Sequence, residues 1–375
     1  MKKTKNDKYV TITRRKGDFS LLFSVILPSV IGTVFIYSAS RYSALSTYND
    51  SLYFVKKQII GILLGIAAMV FTSFYNYNRL KKFTIPVSII AVVLLCLVFV
   101  PGIGVENYGA KRWIGFGGFT LQPSEIAKFA LILFTASYVS SNPDKIKTFV
   151  GILPVLVFGG IICLLIILEP NMSITICTVL LMFGLLFAAG MKIKHFAFLI
   201  IPAFLGGVAL IFLEPYRINR LLAFIDPWSN PEGEGYQLLQ SLYALGSGGW
   251  FGVGLFNSRQ KYAFLPFAES DFILSVIGEE IGFVGIIFFF ALLIFIIVKG
   301  IMIASKAENV FGFMLATGIT LIFGIQVIIN ALVVTGSIPP TGLPLPLVSS
   351  GNTSIIIFMA EMGVLFNISK KTVAV

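Results

Sequence analysis

The chain has 375 residues, of which 57% are hydrophobic and only 12% charged, about half the charged share of an ordinary soluble domain. Its net charge is +11, from 28 basic and 17 acidic side chains. No soluble fold hides that much apolar surface, so lipid must solvate the chain, which excludes soluble enzymes, secreted disulfide scaffolds and disordered proteins.

A basic tail, residues 1–18, contains Arg14, Arg15 and Lys16 and leads into the first of ten apolar runs. The runs cover 19–38, 58–74, 83–101, 123–139, 149–168, 172–190, 196–213, 271–298, 311–334 and 350–368. A bilayer crossing takes about 20 apolar residues, and in lipid every backbone polar group must be paired internally, so the runs read as helices. The alternation of a membrane β-barrel is absent. The first run has no A-x-A cleavage site and is read as a retained helix. The eighth is long enough to begin outside the membrane. The expected fold is an all-α polytopic membrane protein of about ten transmembrane helices, one domain over residues 1–375.

Lys and Arg set the orientation. With the N-terminus cytoplasmic, eighteen basic residues fall inside and nine outside. Both termini are therefore expected in the cytoplasm. Residues 102–122 and 214–270 become extracellular loops, the larger preceding the eighth helix. Trp113, Trp228 and Trp250 all fall on the outer side, as an interfacial aromatic belt would place them.

Cys96, Cys163 and Cys177 lie inside apolar runs and read as small core hydrophobes. The sole histidine, His195, sits beside Lys192 and Lys194. No Ser-His-Asp triad or Cys/His metal cluster can be built, and no GK dipeptide is present for a phosphate-binding loop. Acid–base chemistry must come from carboxylates, Lys, Tyr or metal-bound water.

Two long connections concentrate the polar residues. The first, GIGVENYGAKRWIGFGGFTLQ, is Gly-rich. The second holds Arg217, Arg220, Asp226, Glu232, Glu234, Arg259, Lys261 and Glu269, with Asp271 at its end. Its apolar QLLQSLYAL suits a helix half-buried at the membrane surface. The loop cations fit two readings equally: a loop near the length at which the positive-inside rule lapses, or a seat for a phosphate or pyrophosphate group.

Asp271 opens the run FILSV. It fits a helix N-cap or first-turn Asp, the reading that the residues alone favour. It also fits a general base whose pKa partial burial would raise. On a helical wheel Ser275 and Gly278 share its face. Glu279 and Glu280 sit inside the eighth run and are expected to pair with cations of neighbouring helices. Glu125 and Lys128 form an i, i+3 pair, and with Glu169 cluster toward the outer ends of their helices. Glu361 stands alone, deeper. No membrane-crossing relay and no inverted repeat is visible.

Four segments together resemble one family: GAKRWIGFGGFTLQPSEIAKFA (109–130), PYRINRLLAFIDPW (215–228), GYQLLQSLYALGSGGWFGVGLFNSRQKYAFLPFAESDFILSVIGEEIGFVG (235–285) and TGSIPPTGLPLPLVSSGNTS (335–354). They are similar to the FtsW/RodA/SpoVE-like SEDS family (shape, elongation, division and sporulation), and the likeness spans essentially the whole chain. It implies a peptidoglycan glycosyltransferase of the bacterial cytoplasmic membrane. Such an enzyme polymerises lipid II at the outer leaflet and works with a class B penicillin-binding protein, a monofunctional transpeptidase. It implies no nucleic-acid partner.

The family's catalytic Asp, in LPEAxTDF, matches Asp271. Its basic and polar outer positions match Arg112, Glu125, Lys128, Arg217, Arg220, Gln260 and Lys261. Three positions depart from the family pattern. Phe267 stands where LPEAxTDF has Glu, with Glu269 two residues on. Asn171 replaces an Asp of QPDxGT, and SSGNTS (349–354) replaces SYGGSS. The implied roles are base for Asp271 and pyrophosphate binding for the loop cations. A divalent cation, Mg or Mn, has a conceivable place at the pyrophosphate, but no ligand set is legible. Two other function classes remain open on the residues alone: a lipid II flippase, and a non-catalytic scaffold that recruits the penicillin-binding protein.

Overall fold

The computed structural model describes residues 12–14, 17–107, 110–116, 119–212, 215–262 and 264–373; most of the basic tail lies outside them. Strand β1 (Ile12–Arg14) precedes α1 (Phe19–Tyr48) and α2 (Tyr53–Phe74). The third crossing is α3 (Tyr77–Leu80), a 3-10 turn (Lys81–Phe83) and α4 (Thr84–Leu97). Strands β2 (Gly104–Asn107), β3 (Ala110–Phe116) and β4 (Phe119–Leu121) follow. Then come α5 (Pro123–Ser141), α6 (Phe149–Leu168), α7 (Met172–Ala188) and α8 (Ile193–Phe212). Two shorter helices, α9 (Pro215–Ile225) and α10 (Tyr236–Gly248), lie in the long connection. The chain closes with α11 (Ile273–Ser305), α12 (Val310–Val334), α13 (Asn352–Ser369) and β5 (Lys371–Val373).

Each of the ten apolar runs is helical. Among the described residues, seven helices are long and apolar enough by themselves to cross a membrane. The remaining three runs fall short for visible reasons. α7 is apolar but shorter, as is the stretch Ile193–Ala209 of α8, and α5 carries the buried Glu125–Lys128 pair; α8 over its full Ile193–Phe212 is as long as α6. Lipid-facing positions are apolar and uncovered by protein, as at Phe71, Phe204 and Phe288. Small residues let helices approach: a Cβ at Gly65 of α2 would meet Met359 of α13.

β1 pairs antiparallel with β5, Ile12 opposite Val373 and Arg14 opposite Lys371. The two ends of the described chain therefore share one end of the bundle, as an even number of crossings requires. Lys299 to Asp18 (2.8 Å) and the Tyr77 N–H to Asn367 Oδ1 (3.0 Å) tie helices together there. The two long connections lie at the opposite, distal end.

Residues 102–122, expected as an open loop, contain a β2–β3–β4 antiparallel meander. Period-two burial explains it: Ala110 and Ile114 are buried while Lys111 and Gly115 are exposed. Arg112 shares the inward face with Ala110 and Ile114. The expected surface helix over QLLQSLYAL is α10, with Leu238, Leu239 and Ser241 buried.

α11 is two helices in one. Gly282 adopts φ 70°, ψ −174°, so the stretch before it is a separate segment, as the length of the eighth run suggested. The break frees backbone groups, and the Gly-rich stretch after α10 takes them. Phe283 N–H donates to Gly249 O (2.9 Å) and Val284 N–H to Trp250 O (3.1 Å), while Glu279 O and Glu280 O accept from the N–H groups of Val253 (2.9 Å) and Gly254 (3.1 Å). A side chain at Gly282 would run into Gly252 N, 2.3 Å from the added Cβ.

Candidate functional site

Asp271 lies in the turn entering α11. That helix starts at Ile273 with Phe272 at its N-cap, and no side chain caps it. The cap reading of Asp271 is thereby overturned. The residue precedes the helix, so the wheel that grouped it with Ser275 does not apply. Ser275 instead shares a hydrogen bond with Ser241 (2.8 Å), whose hydroxyl also donates to Val334 O (2.7 Å), joining α11, α10 and α12.

Three consecutive carbonyls hold this turn. Ser350 N–H donates to Glu269 O (2.9 Å), Ser349 Oγ to Ser270 O (2.6 Å) and Asn330 Nδ2 to Asp271 O (2.8 Å). Asn330 also donates to Leu343 O (2.7 Å), and Ser349 Oγ accepts from Leu345 N–H (2.8 Å). The 335–351 connection thus wraps the turn. Gly342, at φ 69°, is where it comes closest, since an added Cβ would sit 3.2 Å from Asp271 Oδ2. Left-handed backbone and close approach together call for glycine.

The Asp271 side chain is half-buried. Its Oδ1 accepts from Ser270 Oγ (2.9 Å). Burial pushes the carboxyl above its ordinary range; the Ser270 bond and the charges of Arg112 and Arg220 act the other way. Glu269 is also raised, first by burial and further by the Asp271 charge, against a backbone N–H that lowers it. Burial and cation together are what a general base needs: a pKa above an exposed Asp, and a positive field to hold an anion beside it.

The structure brings Arg112 and Arg220 within electrostatic reach of Asp271. Arg112 is held by its own fork, Nε to Glu169 O (3.4 Å) and NH2 to Pro170 O (2.5 Å). Arg220 and Arg217 are one turn apart on α9, and Arg220 approaches Glu234 at 4.0 Å. Glu125 and Lys128 form a buried 2.7 Å ion pair in the first turns of α5. Glu361 does not stand alone as expected: it lies on α13 within electrostatic reach of both. Lys261 turns back to donate to Phe256 O, and Gln260 Oε1 is buried with no partner among the described residues. Neither is drawn to Asp271. Glu279 and Glu280 bind hydroxyls and backbone N–H groups, not the cations expected for them. Among the described residues no cluster of His, Cys, Asp or Glu could hold a metal ion.

The departures from the family pattern have local roles. Asn171 caps α7, its Oδ1 accepting from Ile174 N–H (3.4 Å), a bond that Asp would make equally. Thr353 donates to Thr120 O (2.9 Å) and accepts from Gln122 N–H (3.1 Å), stitching α13 to β4 and α5. Phe267 adopts φ 56°, a left-handed conformation rare for a bulky side chain, and its carbonyl accepts from Ser270 N–H (3.0 Å). Sequence reasoning missed Asn330 and Ser349 as site residues. Asn330 carried a signal, an amide inside an apolar run; Ser349 carried none.

Known proteins resemble this chain over nearly its whole length. The model of the FtsW/RodA/SpoVE family, described as cell cycle protein, matches residues 19–374. A probable peptidoglycan glycosyltransferase FtsW of Geobacter sp. (strain M18) is 38% identical over 355 residues, 94% of this chain and 97% of that protein. Stage V sporulation protein E of Bacillus subtilis (strain 168) is 38% identical over 365 residues, 96% and 99% respectively. Among solved structures, a chain from a peptidoglycan synthase complex superimposes with TM-score 0.78 at 26% identity, covering 94% of this chain and 97% of its own. The rod shape determining protein RodA of Thermus thermophilus gives TM-score 0.69 at 25% identity, with coverages of 93% and 96%.

Proposed function

This chain belongs to the FtsW/RodA/SpoVE family of cell cycle proteins, and from that membership we propose that it is a peptidoglycan glycosyltransferase that polymerises lipid II with Asp271 as general base. The observation that carries the assignment is the Asp271 turn: a half-buried carboxylate with three pinned carbonyls, in the field of two arginines. The protein is a multi-pass protein of the cytoplasmic membrane. We place its distal end outside and both termini in the cytoplasm, on the basic-residue asymmetry. We take a penicillin-binding protein as its partner, since its structural likeness is to a chain from a synthase complex of polymerization and crosslinking.

In this reading the donor is a disaccharide on undecaprenyl pyrophosphate in the outer leaflet. Asp271 takes the proton from the acceptor's GlcNAc 4-hydroxyl. That oxygen attacks the MurNAc anomeric carbon as the bond from that carbon to the phosphate oxygen breaks, and the electron pair leaves on the pyrophosphate. Arg112, Arg217, Arg220 and Lys261 stabilise the growing charge, while the Glu125–Lys128 pair, Gln260 and Glu269 line the substrate path. A single displacement inverts α to β, and one base suffices; retention would require a second carboxylate about 5–5.5 Å away, acting as nucleophile. We treat Mg or Mn as a counter-ion that travels with the pyrophosphate. Asp271 and Glu269 are the acidic groups that would face it.

The test is polymerisation of labelled lipid II by purified protein, with and without a class B penicillin-binding protein, read on a gel. Glycan ladders are the expected product. Lipid II moved between leaflets without ladders would make the protein a flippase, and stimulation of a partner by the Asp271→Asn variant to the wild-type level would make it a scaffold.

A further inference from the structure

Glu279 and Glu280 are each 1% exposed, yet no Lys or Arg side chain bonds to either among the described residues. Their partners come from a single stretch of chain and its surroundings. Glu279 Oε1 accepts from Arg259 N–H (3.0 Å) and Ser247 Oγ (3.3 Å), and its Oε2 from Ser258 Oγ. Glu280 Oε1 accepts from Ser258 N–H (3.3 Å) and from Ser38 Oγ of α1 (2.5 Å). Two buried carboxylates therefore clasp consecutive backbone N–H groups, Ser258 and Arg259, immediately before Gln260 and Lys261. The clasp adds to the backbone ladder that the break at Gly282 makes with Gly249–Gly254.

A buried carboxylate is costly unless its oxygens are bonded, and one oxygen here, Glu280 Oε2, has no partner among the described residues. A chain that needed only a packed helix would carry apolar residues here, so the pair points to a demand for position. We infer that Glu279 and Glu280 are positioning residues, whose carboxylates fix the Ser258–Lys261 segment and so present Gln260 and Lys261 to the anionic substrate. The presentation to substrate rests on the reading of the protein as a lipid II polymerase; the clasp itself does not. Asp271 is held separately, by Asn330 and by Ser349 through its neighbour Ser270. Loosening the clasp should therefore weaken substrate capture and leave the chemical step largely intact.

The experiment uses the full-length protein with Cys96 replaced by serine and spin labels at Leu45 on α1 and at Leu255, three residues before the clasped segment, both exposed. The wild type should give a narrow inter-label distance distribution. Glu279→Ala, Glu280→Ala and Ser258→Ala should each broaden it, while Glu279→Gln and Glu280→Gln, which keep an acceptor oxygen, should restore it. In unlabelled protein each alanine variant should raise KM for lipid II about tenfold, the scale of one lost charge-assisted hydrogen bond, with kcat and the pH profile near wild type. Ser258→Ala removes one buried donor from the connection and leaves both carboxylates in place, which keeps the test decisive if a glutamate variant does not fold. Narrow distributions in every folded alanine variant would overturn the clasp. A fall in kcat at unchanged distances would make the glutamates catalytic rather than positioning, and a broadened distribution with unchanged KM would sever the clasp from substrate. A wild type that makes no glycan refutes the polymerase reading instead, and with it the presentation to substrate, while the distance measurements still decide the clasp.

Discussion

Asp271→Asn separates chemistry from structure at this site. The substitution keeps the shape of the side chain and an oxygen to accept the Ser270 hydroxyl, so the 2.9 Å bond survives. The backbone anchor to Asn330 does not involve the side chain, and α11 loses no cap because Phe272 occupies that position. Expression, insertion and thermal stability should therefore stay near wild type. What is lost is the ability to take a proton, typically 10² to 10⁴ in rate, or about 2.7 to 5.5 kcal/mol of barrier. The assay is the initial rate of lipid II polymerisation by purified protein, with Glu269→Gln measured alongside. Near-normal polymerisation by Asp271→Asn would refute the assignment. If Glu269→Gln were then inactive, the base would lie two residues upstream; if both were active, the mechanism proposed here would fail.

Five further outcomes are expected. A base must be deprotonated to act, so kcat/KM should fall as pH drops through the raised Asp271 pKa, at a pH above the ordinary Asp range; Arg112→Gln or Arg220→Gln removes a charge that lowers that pKa and should move the acidic limb higher. Losing Arg217 and Arg220 together should raise KM for pyrophosphate-linked substrate in steady-state assays, with the protein still folded and inserted. Gly282→Ala places a Cβ 2.3 Å from Gly252 N at φ 70° and should cost about 1–3 kcal/mol or more, visible as a lowered Tm in detergent. For topology, a cysteine at exposed Asn230 should react with an impermeant thiol reagent in whole cells and one at exposed Lys306 should not; for the cation, a chelator should slow polymerisation, excess Mg or Mn should restore it, and no metal should copurify.

The helices were legible because lipid leaves few choices: ten apolar runs became ten helices, with ends displaced by several residues where local chemistry decided. Asp18 caps α1 at its expected start, its Oδ1 accepting from Ser20 N–H (3.2 Å), but α1 runs on past its expected end to Tyr48 through serines whose hydroxyls bond back to the preceding turn, as Ser40 does to Ile36 O (2.7 Å). Asp271 was legible as a candidate, but its role was not, because cap and base look alike until the start of the helix is known. The difference rests on two residues, and helix ends are where sequence reasoning is weakest. The meander at 104–121 was hidden by its glycines, which mask the alternation of Ala110, Arg112 and Ile114. The partners of Glu279 and Glu280 were hidden by a longer-range effect: carboxylates inside an apolar run suggest cations only if the helix is unbroken and its backbone already paired.

A membrane helix with its ladder intact has no free backbone group and little to offer a polar substrate. Irregular backbone at such depth persists only where protein or a cavity satisfies it. Here four irregular stretches lie at the distal end: the turn before α11, the break at Gly282, the 335–351 connection and the stretch after α10. Each satisfies another. Ser349 and Ser350 of the connection take carbonyls of the turn, Asn330 of α12 bonds to the turn and the connection at once, and the stretch after α10 completes the broken ladder of α11. The rigidity a general base needs is therefore a product of backbone accounting. The Asp271 carboxyl has no duty as a cap, and the carbonyls around it are paired through other groups. This predicts an order of sensitivity: Asn330→Ala, which orphans the carbonyls of Asp271 and Leu343, should lower kcat and Tm together, whereas Asp271→Asn lowers kcat alone. Equal Tm losses in the two variants would mean that the side chain of Asp271, and not its backbone, holds the turn.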